Sequence, residues 1–123
     1  MHINELCKKC HLAAIDAGFW EEEDVVEIGN EKVISLKKII PRNVSELLML
    51  IVTELGEACE ALRKNNIQEP NEKWRKDTFS DELADVAIRL FDLCGAKNID
   101  LEWQIKKKME YNLTRPKKHG KAF

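Results

Sequence analysis

Two acidic pairs in this 123-residue chain carry a spacing suited to chemistry: Glu54 and Glu57 in TELGEACE, and Glu82 and Asp85 in DELADV. At i, i+3 on a helix the carboxylates of a pair lie one turn apart on one face, close enough to share a hard cation. On a helical wheel Glu54 falls in line with Leu47, Leu50, Ala58 and Ala61, so its charge is expected to be partly buried among small and apolar side chains. That burial is costly without a cation. Facing carboxylates also raise one another's pKa unless a divalent ion such as Mg2+ neutralises them. The same residues fit ordinary solvated helix faces, because Arg89 stands four places after Asp85 and Lys64 four after Glu60, the spacing of helical ion pairs.

A second constellation lies near the C-terminus. Residues 106–121 hold Lys106, Lys107, Lys108, Arg115, Lys117, Lys118 and Lys121 against the single acid Glu110, in a chain whose net charge is only -2. A locally positive strip of this kind suits a polyphosphate. Lys108 and Asn112 share a helix face, and Arg115 beyond them offers a planar fork to phosphate oxygens. For Lys117, Lys118 and Lys121 a solvated basic tail explains the charges equally well. A nucleic-acid partner is not expected, since the strip lacks interleaved aromatics and any zinc or RNP-type motif.

The remaining chemistry-bearing residues are read more plainly. CKKCH, from Cys7 to His11, spells the C-x-x-C-H pattern of c-type haem attachment, but that maturation needs export and the N-terminus has no export signal. Zinc at Cys7 and Cys10 lacks a matching second pair. The four cysteines are expected to be reduced, with Cys10 facing the core. Trp74 and Trp103 are expected to pack in the core or at a subunit interface. No Ser-His-Asp arrangement, Walker-type loop or dinucleotide fingerprint occurs, which leaves water as the nucleophile of any hydrolysis.

The elements that must position the acids are helices. NVSE opens the clearest one, with Asn43 as N-cap and Glu46 three places on, the pattern of a capping box. This helix is expected over 44–64, with Leu48, Ile51, Val52, Leu55, Cys59 and Leu62 on the stripe it buries against partners. A second is expected over 80–96, capped by Ser80, with Leu83, Ala84, Ala87, Ile88, Leu90, Phe91 and Cys94 inward and Gly95 at its end. Residues 66–77, with Pro70, form a polar connection, so the two helices must pack antiparallel. A third helix follows Asp100 to about Leu113, stopped by Pro116. An N-terminal helix capped by Asn4 aligns Leu6, Cys10, Ala13, Ala14 and Ala17 and stops at Gly18. Residues 21–42, with Gly29 and Asn30 between β-branched runs, read as either a hairpin or a loop.

The length suits one domain, taken as 1–123. With 44% hydrophobic and 34% charged residues the chain is neither disordered nor collagenous, and no stretch is apolar enough to span a membrane. A cytoplasmic location is expected.

E-x-x-E, a connection over 58–81, and then E-x-x-D resemble the all-α MazG-like nucleoside triphosphate pyrophosphohydrolase superfamily. The closing KMEYNLTRPKKHGKAF looks like that family's final segment, and His11 with Gly18, Phe19 and Trp20 looks like its opening one. The resemblance covers most of the chain outside residues 21–42. It implies that Glu54, Glu57, Glu82 and Asp85 bind Mg2+, with Mn2+ able to substitute. Lys108, Asn112 and Arg115 would then contact substrate phosphates, and His11 and Trp20 would belong to the nucleotide pocket. The implied fold is an antiparallel helical bundle whose core is completed by oligomerisation, as a homodimer or homotetramer. The implied reaction cleaves a (deoxy)nucleoside triphosphate between its α and β phosphates. Two alternatives stay open: a non-enzymatic helical oligomerisation or metal-binding module, and a phosphoribosyl-ATP pyrophosphohydrolase.

Overall fold

The structure, a computed structural model, describes residues 2–122, and over residues 22–28 and 32–39 it describes the backbone without the side chains. In chain order the elements are α1 (Ile3–Asp16), β1 (Glu21–Ile28), β2 (Glu31–Ile39), α2 (Val44–Arg63), α3 (Phe79–Ala96) and α4 (Leu101–Leu113), followed by a short 3-10 turn (Lys117–Gly120). The body is helical, as expected. The segment left open between hairpin and loop is an antiparallel hairpin that turns at Gly29, whose positive φ of 66° suits glycine, with a register shift between Asp24 and Val25.

α3 is the central helix, packed against α2 on one side and α1 on the other. Glu54 reaches Arg89 while Glu57 faces Glu82, an order that runs α2 and α3 antiparallel as expected. α1 also runs antiparallel to α3, and there the backbones nearly touch. A Cβ on Gly95 would lie 2.5 Å from the Cys7 carbonyl oxygen and 2.8 Å from His11 Cβ. Gly95 therefore serves close approach inside the last turn rather than ending the helix, and the left-handed residue after α3 is Asn98. Trp20, Leu47 and Leu93 form the small buried cluster at this junction.

The caps correct two expectations. Asn43 caps α2, its Oδ1 accepting from the Glu46 N–H at 3.2 Å, as expected. Ser80 does not cap α3. The helix starts at Phe79 because Thr78, itself buried, accepts from the Asp81 N–H at 3.2 Å, and Asp81 Oδ2 accepts from the Asp77 N–H at 2.7 Å. Asn4 does not cap α1 either. It reaches across to α4, where its Oδ1 accepts from the Glu102 N–H at 3.1 Å and its amide donates to Asp100 at 2.8 Å. The Ile3 N–H in turn donates to Glu102, so the starts of α1 and α4 hold each other.

The buried faces are rotated from those the wheel suggests. On α2 the buried residues are Leu47, Ala58 and Ala61, whereas Leu48, Val52, Leu55, Cys59 and Leu62 are exposed. On α3 they are Glu82, Leu93 and Cys94, with Leu83 and Ile88 exposed. Cys7, not Cys10, is the buried thiol of α1. Trp74 and Trp103 are both exposed rather than packed in the core. Among the described residues no helix is long and apolar enough to cross a membrane.

Candidate metal centre

The antiparallel pairing of α2 and α3 brings the acids together as their spacing requires. One carboxylate oxygen from each of Glu54, Glu82 and Asp85 lies within 4.8 Å of the other two. Glu82, in the first turn of α3 where it faces α2, is only 4% exposed, and its Oε2 has no hydrogen-bond partner among the described residues. Burial, then the charge of Glu57 and a hydrogen bond with it, then Asp85 and Asp77, push the Glu82 carboxyl up to about 7. Asp85 is raised as well, first by burial and then by Glu54 and Asp81, while Arg89 pulls it down. Glu57 stands at the edge of the cluster, exposed and outside the three mutually close oxygens.

One cation already touches the cluster. Arg89 Nε donates to Glu54 Oε1 at 2.8 Å, bridging the helices from the α3 side. The i, i+4 relation of Arg89 to Asp85 is present in the sequence, but the partner it chooses lies on the other helix.

Clefts open on both sides of the acids. A cleft of about 390 Å³ is bounded by Glu54, Asp85 and Arg89 at one end and by Ala14, Phe19 and Ile88 along its apolar walls. This is ligand-pocket size, and Arg42 and Asp92 add further charged groups to its lining. Glu57 and Glu82 line a smaller cleft on the far side, together with Lys64 and Asp77.

His11 and Trp20 come together but not beside the acids. The Trp20 indole N–H donates to Asp92 at 3.0 Å, and His11 Nδ1 lies 2.8 Å from the same carboxylate. Because a carboxylate only accepts, the imidazole proton sits on Nδ1. Trp20 is buried, with the His11 ring centroid 5.1 Å from its own at near right angles and the Arg42 guanidinium 5.6 Å from its centroid. His11 and Trp20 line a separate cleft with Pro41 and Lys97, whereas Asp92 lines the cleft next to the acids and Arg42 lines both. Asp92 escaped the sequence reading, and Arg89 entered it only as an i, i+4 partner of Asp85, although Asp85, Arg89 and Asp92 recur at i, i+4, i+7 along one face of α3.

Lys108, Asn112 and Arg115 gather around Tyr111. Lys108 Nζ lies 5.1 Å from the ring centroid and the Arg115 guanidinium 5.6 Å from it, and Arg115 donates to Asn112 Oδ1 at 3.4 Å. They form one basic cluster, and none of them lines a described cleft with the acids.

The chain matches no protein-family model, no curated protein and no solved structure.

Proposed function

We propose that the chain is a divalent-metal-dependent nucleoside triphosphate pyrophosphohydrolase. The observation that carries this reading is the buried, unpartnered Glu82 Oε2 within 4.8 Å of oxygens from Glu54 and Asp85. Three clustered carboxylates, one almost out of water, are a poor arrangement for stability and a good donor set for a hard cation. Glu54, Glu82 and Asp85 would hold Mg2+ or Mn2+, with Glu57 at the edge as a further ligand or a base. The ion supplies charge neutralisation at the phosphates and a more acidic bound water.

The chain's own groups do the rest. Water oxygen adds to the α-phosphorus, the bond from that phosphorus to the α–β bridging oxygen breaks, and pyrophosphate leaves with the bond's electron pair. The water's protons pass to a carboxylate such as Glu57 and to solvent. The apolar cleft beside Glu54 and Asp85 takes the nucleoside, with Asp92 and Arg42 as the polar groups along it. His11 and Trp20 act by holding Asp92 and the cleft wall. Arg89, which donates to Glu54 at 2.8 Å, would be free to contact a phosphate if a cation took over that carboxylate. Lys108, Asn112 and Arg115 supply cationic and amide contacts to the phosphate chain. Free nucleotides as substrates fit a cytoplasmic enzyme.

The Glu54–Arg89 ion pair favours a second reading, a non-catalytic helical module in which Arg89 is the only cation the acids need. Pyrophosphate release from a panel of ribo- and deoxynucleoside triphosphates, with and without Mg2+, separates the two. Metal-dependent release that Glu57→Gln lacks is the expected result. No release from any nucleotide would leave the module.

A further inference from the structure

Asp92 holds two side chains and keeps acceptor capacity to spare. Its Oδ1 lies 2.8 Å from His11 Nδ1 and accepts from the Trp20 indole N–H at 3.0 Å, whereas Oδ2 receives only the longer branch of that indole bond, at 3.2 Å. An ionised carboxylate has about four lone-pair sites, so Oδ2 is left with room for a further donor. The Asp92 side chain is 13% exposed, and the residue lines the cleft of about 390 Å³ that ends at Glu54 and Asp85.

The placement of Asp92 along α3 matters as much as its bonds. It stands seven residues after Asp85 on the same helix face, about 10.5 Å further along the axis. One helix therefore carries a carboxylate of the metal cluster at one end of the cleft and a spare acceptor two turns away. The rest of the lining is small or apolar, chiefly Ala13, Ala14, Phe19 and Ile88. Arg42, also in the lining, is drawn over the Trp20 ring and toward Glu46 at 3.9 Å. With the α-phosphate at the cluster, the sugar and base of a nucleotide run along this wall toward Asp92.

We infer, taking the proposed nucleotide hydrolysis as given, that Asp92 selects nucleotides whose base carries an exocyclic amine. Cytosine and adenine present an amine donor where uracil and hypoxanthine, bases of the same size, present a keto oxygen. A carboxylate accepts from the amine and repels the oxygen, which also gives up its hydrogen bonds to water on entering the cleft. The discrimination is by charge and lone pairs, not by size. His11 and Trp20 are positioning residues here, since their N–H groups occupy Oδ1 and fix the plane of the carboxylate. Asparagine at this position would keep an oxygen for His11 and Trp20 and offer an N–H in place of Oδ2, the complement of a keto group.

Two size-matched pairs, cytidine with uridine and adenosine with inosine, test this in the wild type and in Asp92→Asn. Binding of the four monophosphates, the products of the proposed reaction, is read by titration calorimetry. Pyrophosphate release from the four triphosphates is read as initial rates with Mg2+. The wild type is expected to favour the amine member of each pair by about tenfold or more, and Asp92→Asn to reverse that order. Equal treatment of both members by the wild type overturns the inference. So does an Asp92→Asn that keeps the wild-type order or weakens all four nucleotides alike, the result expected if Asp92 only holds His11 and Trp20. Should Asp92→Asn fail to fold, the wild-type order decides by its presence or absence. Failure of the proposed hydrolysis has a different signature. No triphosphate would then release pyrophosphate, while monophosphate binding that Asp92→Asn inverts would still uphold the role of Asp92. No release and no binding overturn both.

Discussion

The two faces of α2 invert the usual relation between polarity and burial in opposite directions. Toward α3 the helix presents Glu54 among Leu47, Ala58 and Ala61, and it meets a glutamate that is almost completely buried. Away from α3 it presents leucine and valine to solvent. Ordinary folding energetics favour neither arrangement, since buried carboxylates cost solvation and exposed leucines forgo about 25 cal/mol per Å² of apolar burial. Under the function proposed above a cation would offset the cost of the inner face, while the outer face stays exposed among the described residues.

The largest expected effect breaks the inner face. Glu82→Gln or Asp85→Asn should lower metal-dependent pyrophosphate release by at least ~10²-fold, read from initial rates at saturating Mg2+. The same substitutions should leave the metal-free fold as stable as the wild type or more so, because they remove facing charges. A variant that loses activity by unfolding would show a lower melting temperature without metal, the reverse of this expectation.

The next effect is on pH. The Glu82 carboxyl titrates higher in the folded chain, at about 7, than its ordinary value of 4.5. Between those values the folded state binds more protons than the unfolded one, so stability falls as pH rises. The stabilising contribution is full below about 4.5 and is lost as pH passes 7. Urea midpoints of the metal-free protein at pH 5 and pH 8 should decline in that order. Glu82→Gln should flatten this part of the decline, whereas substitutions on the outer stripe should leave it unchanged.

Smaller effects test the frame that holds the inner face in place. Gly95→Ala puts a methyl group 2.5 Å from the Cys7 carbonyl and should cost ~1–3 kcal/mol in chemical denaturation. Asn4→Ala removes the acceptor for the Glu102 N–H and should cost ~1 kcal/mol, loosening α4 while leaving both faces of α2 intact. Amide exchange in the first turn of α4 would register that loosening directly.

Much of this arrangement was legible in the sequence because it depends on local chemistry. The Asn43 cap, the Asp100 cap and the i, i+3 acids are read from neighbours a turn apart, and α2, α4 and the acidic cluster followed from them. What escaped depends on partners distant along the chain. Asn4 has the residue type of a cap, but the helix it caps lies 98 residues away. Ser80 lost to Thr78 because the Asp77 and Asp81 backbone N–H groups close a box two residues earlier. The apolar stripe of α2 was expected to face a partner, yet within the chain α3 packs on the alanine and glutamate side. A wheel counts hydrophobicity and cannot tell which face a neighbour of the same chain will cover. His11 and Trp20 were expected in the nucleotide pocket. They meet each other through Asp92, whose part becomes visible only when α1 and α3 are side by side.

The central claim is that the inner face of α2 and α3 is built for a divalent cation, and a melting-temperature titration with Mg2+ and Mn2+, wild type against Glu82→Gln, tests it most directly. A specific site should stabilise the wild type by about 2.7 kcal/mol at a hundred times its dissociation constant, with a saturating dependence on metal. The variant should start at or above the wild-type melting temperature and fail to rise. A flat wild-type response to both ions, or an equal rise in Glu82→Gln, would contradict the account and leave Arg89 as the only cation these carboxylates require.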